Sequence, residues 1–267
     1  MSTLSYGTRD SLTMLSRNLR HMQRYPSLTL MLLGQPIVFL LLFVYVFGRT
    51  LGNGLGPAGV SGLGGRTEYV GYVTPTILLI TVASVALGTA ISVATDMTEG
   101  IIARFRTMAI SKASVLTGHV VGAVLQTVFG LVVVVGVALL VGFRSSATFA
   151  EWVAAGGVLL LLTIAVTWLT VAMGLAAKSV ETASNTPMFL TLLPFLGSGF
   201  VPTESMPDGL RWFAEYQPFT PVIETIRGLL IGTSIGKSGW LAVGWCVLIA
   251  VLGYTWSRSL YRKERNR

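Results

Sequence analysis

The charged residues with the most unusual position lie in residues 196–232, between two strongly apolar runs. They are Glu204, Asp208, Arg211, Glu215, Glu224 and Arg227. At a bilayer centre each such charge costs about 2.5–3.5 kcal/mol on insertion scales, so this stretch is not a simple membrane span. The chemistry available to these groups is ion pairing. Glu224 and Arg227 are three residues apart, which places both on one helix face.

The same stretch carries the signals of two short helices. Ser205 and Asp208 have the spacing of a capping box, with Pro207 in the first turn, and predict a helix over 206–216. That helix ends before Pro218, because the residue preceding a proline disfavours helical geometry.

A second helix is predicted over 221–231, beginning at Pro221 and ending near Gly232. Broken helices at membrane depth need protein or a water-filled cavity beside them. We therefore interpret residues 201–238 as a re-entrant helical pair that forms an outer loop.

Catalytic and nucleotide-binding motifs are missing from the sequence. Residues 232–238, GTSIGKS, resemble a phosphate-binding loop, but three residues separate the glycines where the motif needs four. No Ser/His/Asp set, carboxylate pair or metal-ligand cluster can be assembled, and Cys246 is the single cysteine. The sequence therefore predicts no enzyme and no cofactor in this chain.

The composition is that of an integral membrane protein. Of 267 residues, 52% are apolar and 11% are charged, against about 25% charged in soluble domains. A span needs about 20 apolar residues, so the chain suits one domain, 1–267, with six spans. The predicted spans are 28–48, 69–94, 113–141, 152–177, 182–200 and 240–256.

An amphipathic helix is predicted over residues 8–24. Leucines and a methionine cluster on one side of a helical wheel and arginines on the other. This separation favours a helix in the headgroup plane; a solvated basic leader is the alternative. We expect no cleavable signal peptide, because the first apolar run leads to no small-residue cleavage pattern.

Basic residues set the expected orientation. With the N-terminus inside, 13 of the 19 Lys and Arg residues and 5 of the 11 acids are cytoplasmic. The whole net charge of +8 then lies inside, as the positive-inside rule expects. We predict a multi-pass plasma-membrane protein with both termini cytoplasmic and residues 201–238 outside.

The polar loop over residues 96–112 is the best candidate for docking a partner. Met97, Ile101, Phe105 and Met108 form one apolar stripe at helical spacing. Such a helix can insert into a groove on another protein or pack on lipid, and the pattern alone does not choose between them.

Ionisable groups are nearly absent from the predicted spans. Ion-coupled carriers usually place such groups at mid-membrane, and here the central thirds of the spans contain none. His119, near a span end, is interpreted as a packed or interfacial residue. Trp168, Phe189 and Phe195 are candidate contacts for an amphipathic substrate, although isolated aromatic residues are more often packed or lipid-facing.

Two stretches resemble ABC type-2 exporter permeases. Residues 199–232, GFVPTESMPDGLRWFAEYQPFTPVIETIRGLLIG, are similar to the late signature of those proteins, with a proline-containing turn and two short helices before the last span. Residues 98–123 resemble their first cytoplasmic loop and the start of span three. FVPT from Phe200 and WFAE from Trp212 resemble the daunorubicin-resistance branch in particular.

The resemblance implies a fold, partners and site residues. It implies an all-α fold of six transmembrane helices with an N-terminal interfacial helix and a re-entrant pair between spans five and six. Two cytoplasmic ABC ATPase subunits, which bind ATP and Mg²⁺, would assemble with this chain and a second permease copy or related permease in the lipid membrane; no nucleic acid is expected. ATPase coupling is expected from Asp96, Glu99, Gly100, Arg104, Phe105 and Arg106. An outer gate is expected from Pro202, Trp212, Phe213, Pro218, Pro221, Glu224 and Arg227.

The function expected from these features is bacterial export of a hydrophobic or amphipathic drug or secondary metabolite, as in antibiotic resistance. Export of a lipid-linked glycan or lipid by the same mechanism is the alternative. A proton-coupled carrier is the alternative of a different class.

Overall fold

The computed structural model describes residues 26–53, 65–99 and 112–263, and in these ranges the regular structure is entirely helical. A π-helical segment, Phe43–Phe47, follows the first helix, and 3₁₀ turns occupy Leu193–Leu196 and Thr203–Ser205. The α-helices are α1 (Pro26–Leu42), α2 (Gly48–Asn53), α3 (Arg66–Thr98), α4 (Lys112–Val141), α5 (Phe149–Ala176), α6 (Val180–Asn185), α7 (Met188–Leu192), α8 (Asp208–Tyr216), α9 (Phe219–Ile231) and α10 (Ser238–Lys263).

Five helices among the described residues are long and apolar enough to cross a membrane. They are Leu33–Thr50, Arg66–Thr98, Leu116–Val141, Phe149–Ala176 and Ser238–Arg262. The prediction of an all-α membrane protein is confirmed at this level, while six spans and a re-entrant pair stay predictions. The helix predicted over 8–24 lies outside the described residues.

Helix α3 is the centre of the bundle. From Tyr69 to Asp96 its side chains are buried or half-buried all round. It contacts α1, α4, α5 and α9, while α10 packs mainly on α5. A helix that is apolar on every face can be surrounded by other helices or by lipid, and here the neighbouring helices cover it.

The outer faces of α4 and α10 are apolar and exposed. They carry Leu125, Val128, Phe129 and Val132 on α4, and Val247, Leu248, Val251 and Leu252 on α10. Exposed apolar residues along whole helices are typical of surfaces that face lipid hydrocarbon.

The fifth predicted span, residues 182–200, is not one continuous helix. Helix α6 ends at Asn185, α7 begins after Pro187, and a 3₁₀ turn containing Pro194 follows. Backbone without regular structure then runs through Gly197. The two prolines explain the breaks, because proline has no backbone N–H and clashes with the preceding helical turn.

Glycines on α10 give a matched test of the α5–α10 packing. A Cβ at Gly253 would lie 2.6 Å from Leu169 N and 2.8 Å from the carbonyl carbon of Trp168, whereas a Cβ at Gly244 would meet nothing within 4 Å. Gly253→Ala should therefore destabilise the protein by about 1–3 kcal/mol, the usual cost of overpacking.

The control, Gly244→Ala, should be neutral or slightly stabilising, because alanine favours helix. The measurement is the midpoint of thermal unfolding of each purified variant in detergent. Equal midpoints for the two variants would contradict the close approach of α5 and α10.

Candidate outer gate and coupling region

Two short helices form where the sequence predicts them. Helix α8 covers Asp208–Tyr216, and α9 covers Phe219–Ile231. Pro218 is the N-cap of α9 and Pro221 lies in its first turn, where a missing N–H costs no helical hydrogen bond. Gly232 ends α9 with φ of 84°, a left-handed conformation that glycine adopts without strain.

The capping box predicted at the start of α8 is wrong. Pro207 holds the N-cap position and no side chain caps the helix. The Ser205 hydroxyl instead donates to the Pro202 carbonyl at 2.7 Å, within the 3₁₀ turn that precedes α8. Because the Ser205 hydroxyl is bonded within this turn, it does not cap α8.

Arg227 on α9 is buried, with 7% of its surface exposed. Its Nη2 donates to the carbonyls of Ser198 at 2.8 Å and Tyr72 at 3.1 Å. Its guanidinium also lies over the Tyr72 ring, 3.7 Å from the centroid. A buried cation is tolerated only with such compensation. Arg227 therefore fixes α9 against both α3 and residues 197–200, the non-helical end of the fifth predicted span, which we name the broken segment.

Three hydroxyls of α3 bind the same broken segment. Tyr72 Oη donates to the Ser198 carbonyl at 2.9 Å, and Thr76 Oγ1 donates to the Gly199 carbonyl at 2.8 Å. Tyr69 Oη donates to the Phe200 carbonyl at 3.4 Å. We name these three donors together with Arg227 the carbonyl clamp. It supplies hydrogen bonds to carbonyls that the interrupted helix leaves without helical partners.

Sequence reasoning missed the three α3 members of the carbonyl clamp. Tyr69, Tyr72 and Thr76 recur at i, i+3 and i+7, which places them on one helix face. A polar stripe on an otherwise apolar span was the available signal. Its partner carbonyls belong to the backbone and leave no trace in the sequence.

The predicted pairing of Glu224 with Arg227 is wrong. Glu224 Oε2 accepts a hydrogen bond from the Ser238 hydroxyl at 2.6 Å, which connects α9 to the start of α10. Arg227 turns inward to the carbonyl clamp instead. The two carbonyls and the Tyr72 ring lie on the buried side of α9, where the guanidinium reaches all three.

The other expected gate residues lie at the surface of α8 and beside it. Trp212 is 66% exposed. Its ring is tilted against that of Tyr216, with centroids 5.6 Å apart. Phe213 is exposed as well, and Pro202 is half-buried before the 3₁₀ turn. Exposed Trp and Tyr side chains on one short helix are typical of a membrane–water interface.

The expected coupling residues are described only in part. Asp96 is buried near the end of α3, with its Oδ2 3.2 Å from His119 Nε2 on α4. Glu99 is exposed and is the C-cap of α3. Gly100, Arg104, Phe105 and Arg106 lie outside the described residues. His119 is therefore packed, as predicted, and Asp96 holds α3 to α4.

The three expected substrate contacts have separate surroundings. Trp168 packs edge-on against Tyr254, with ring centroids 5.0 Å apart. Phe195 stacks with Phe200, with centroids 4.8 Å apart, and Phe189 is exposed. Trp168 and Phe195 are thus held in aromatic packing, and a common substrate path through these three residues stays a prediction.

Two threonines on α3 test the carbonyl clamp. Thr76 and Thr81 are fully buried, but Thr76 donates to Gly199 whereas Thr81 donates to Ile77 within its own helix. Thr76→Val keeps the shape and leaves the buried Gly199 carbonyl without that donor, so we expect a loss of about 1–3 kcal/mol of stability.

Thr81→Val should cost less, because the Ile77 carbonyl keeps its helical environment. Thermal unfolding of both variants in detergent is the measurement. A Thr76→Val midpoint no lower than that of Thr81→Val would contradict the structural role of the clamp.

Comparison with known proteins places these features in a family. The model of the ABC-2 type transporter family matches residues 10–231. The daunorubicin resistance ABC transporter permease protein DrrB1 of Streptomyces coeruleorubidus is 29% identical over 225 residues, covering 84% of this chain and 76% of that protein. The probable doxorubicin resistance ABC transporter permease protein DrrC of Mycobacterium tuberculosis (strain CDC 1551 / Oshkosh) is 26% identical over 186 residues, covering 64% and 67%. Because the family model matches far more than half of its length, the chain belongs to the ABC-2 type transporter family.

Proposed function

We propose that this chain is the permease subunit of an ATP-driven exporter that moves a hydrophobic or amphipathic drug or secondary metabolite outward. The observation that carries the proposal is the family match over residues 10–231. The five apolar helices supply a membrane domain, and the named function of both relatives is drug resistance. We assign the same class of cargo to this chain.

ATP hydrolysis belongs, in this proposal, to a separate ABC ATPase that binds ATP and Mg²⁺. Residues 232–238 connect two helices: Gly232 ends α9, and the Ser238 hydroxyl at the start of α10 donates to Glu224. We propose two ATPase copies and a second permease copy or related permease, as the resemblance to ABC type-2 exporter permeases implies.

The cytoplasmic dock of the proposal is the loop that leaves α3. Glu99 is exposed at the point where α3 ends, so its carboxylate is free to face a partner. Behind it the Asp96–His119 contact joins α3 to α4. A displacement of the loop by the ATPase would therefore move α3 and α4 together. In this proposal Asp96 positions the two helices and does not itself contact the ATPase.

The outer gate of the proposal is formed by α8, α9 and the broken segment before them. Both termini are cytoplasmic in this proposal, which places α8 and α9 outside. Arg227 holds α9 to the segment, and Glu224 holds α9 to α10. Movement of α9 would therefore change the contacts of the broken segment and of the last long helix at once.

Reconstitution tests the function directly. The permease is co-purified with an ABC ATPase expressed with it and reconstituted into vesicles, and daunorubicin is added to the outer medium as the probe cargo, where it meets the complexes whose ATPase faces outward. We expect uptake into these vesicles with ATP and Mg²⁺, and none with a hydrolysis-deficient ATPase. Uptake driven by a pH gradient without ATP would contradict the exporter and favour a carrier. Movement of a lipid-linked glycan but no drug would contradict the cargo class.

Two charge removals test the dock. Glu99→Ala or Arg104→Ala should lower transport by about fivefold or more while ATP hydrolysis continues, since typical couplings between sites are of this size. Glu181→Ala removes an exposed carboxylate from α6 and serves as the control.

ATP hydrolysis and daunorubicin uptake are measured in the same vesicles, so that their ratio reports coupling. Full transport by both dock variants would contradict the assignment of residues 96–112 to the ATPase.

A further inference from the structure

Two buried polar side chains lie directly beside Gly197, and two more belong to residues next to them. A Cβ at Gly197 would lie 2.5 Å from both Gln217 Nε2 and Thr220 Oγ1, so both side chains pack directly against the Gly197 backbone. Ser198 follows Gly197 in the chain, and its carbonyl binds Arg227. We name Ser198, Gln217, Thr220 and Arg227 the Gly197 cluster. Each of them is more than nine-tenths buried.

Polar atoms of the Gly197 cluster lack partners. Gln217 Nε2 and Oε1, Thr220 Oγ1, Ser198 Oγ and Arg227 Nε make no hydrogen bond within the described part of the chain. Buried polar atoms are almost always hydrogen-bonded, and an unsatisfied one costs stability. Five such atoms on four neighbouring residues are therefore not explained by the needs of folding.

Four of the five unpartnered atoms can donate a hydrogen bond, and Gln217 Oε1 only accepts. The Gln217 amide offers two N–H bonds, Arg227 offers its Nε–H, and the two hydroxyls each offer one more. The cluster also carries the positive charge of Arg227. Such a set complements oxygen acceptors, for example ketone, quinone or hydroxyl oxygens, and disfavours a cation that lacks acceptors.

The position of the cluster suits a transported molecule. Gln217 lies between α8 and α9, and Thr220 lies in the first turn of α9. A displacement of α9 would uncover both side chains together. We propose that the Gly197 cluster is a polar subsite that binds oxygen acceptor groups of the exported molecule. This inference rests on the proposed function.

A structural role and a binding role predict opposite results for Gln217→Leu. If the amide stabilised the fold, leucine would lower the unfolding midpoint. If the amide instead serves to bind a ligand, leucine removes its unsatisfied polar atoms at similar volume. The unfolding midpoint should then be unchanged or higher. Thr220→Val is the matching change for the hydroxyl.

The experiment measures equilibrium binding of daunorubicin to the full permease–ATPase complex in nanodiscs. Daunorubicin supplies quinone and hydroxyl oxygens, and tetraphenylphosphonium serves as an apolar cation without acceptors. Gln217→Leu and Thr220→Val should each weaken daunorubicin binding by about three- to tenfold, the loss of a neutral hydrogen bond, with unchanged tetraphenylphosphonium binding. Gln126→Leu on α4 makes the same chemical change elsewhere and should leave both affinities unchanged.

The outcomes separate the two proposals. Absence of saturable daunorubicin binding by the wild-type complex would contradict the cargo class and the subsite with it. Saturable wild-type binding with equal affinity in Gln217→Leu would overturn the subsite alone, as would a lowered unfolding midpoint in that variant. Weaker daunorubicin binding at unchanged or raised stability is the result that supports the subsite.

Discussion

The hydrogen bonds of the carbonyls at residues 198–200 are the constraint on which this structure depends. Where a helix is interrupted inside an apolar bundle, backbone groups lose their helical partners, and hydrocarbon offers no replacement. Here α3 replaces them with Tyr72 Oη on Ser198 and Thr76 Oγ1 on Gly199. The break in the chain is therefore possible only beside that one face of α3. This explains the hydroxyls of Tyr69, Tyr72 and Thr76 on the most buried helix of an apolar protein.

Arg227 binds the same backbone carbonyls from a second helix, α9. Its charge would be costly in a buried position, but two carbonyls and the Tyr72 ring face it. Since Ser198 accepts from both Tyr72 and Arg227, one carbonyl connects α3, the broken segment and α9. Removing any one of these elements would leave buried polar groups of the other two unsatisfied. The three therefore form one cooperative unit rather than three independent contacts.

The sequence was sufficient for features with a local cause. Proline positions predicted the boundaries of α8 and α9 closely, and apolar runs predicted the five long helices. It was insufficient wherever a second possible partner, near or far in the chain, competed for the same group. Ser205 and Asp208 had the right spacing for a capping box, but the Ser205 hydroxyl donates to the Pro202 carbonyl instead. Glu224 and Arg227 had the right spacing for a pair, but Ser238 and a backbone carbonyl were better placed. The carbonyl clamp itself could have been suspected only from the polar stripe on α3.

Polar bonds also give this region a property that apolar packing would not. A hydrogen bond to a charged group contributes about 1.5–3 kcal/mol net, because it exchanges with bonds to water or to another polar group. An element held by such bonds can move to a second arrangement at low cost, provided that new partners are present there. The α9 helix is held by exchangeable bonds at both Arg227 and Glu224. The helices α5 and α10 instead meet through glycine-mediated close packing, which has no alternative partner. Rigid packing in one part of the bundle and exchangeable polar bonds in another are the properties that the proposed outer gate would need.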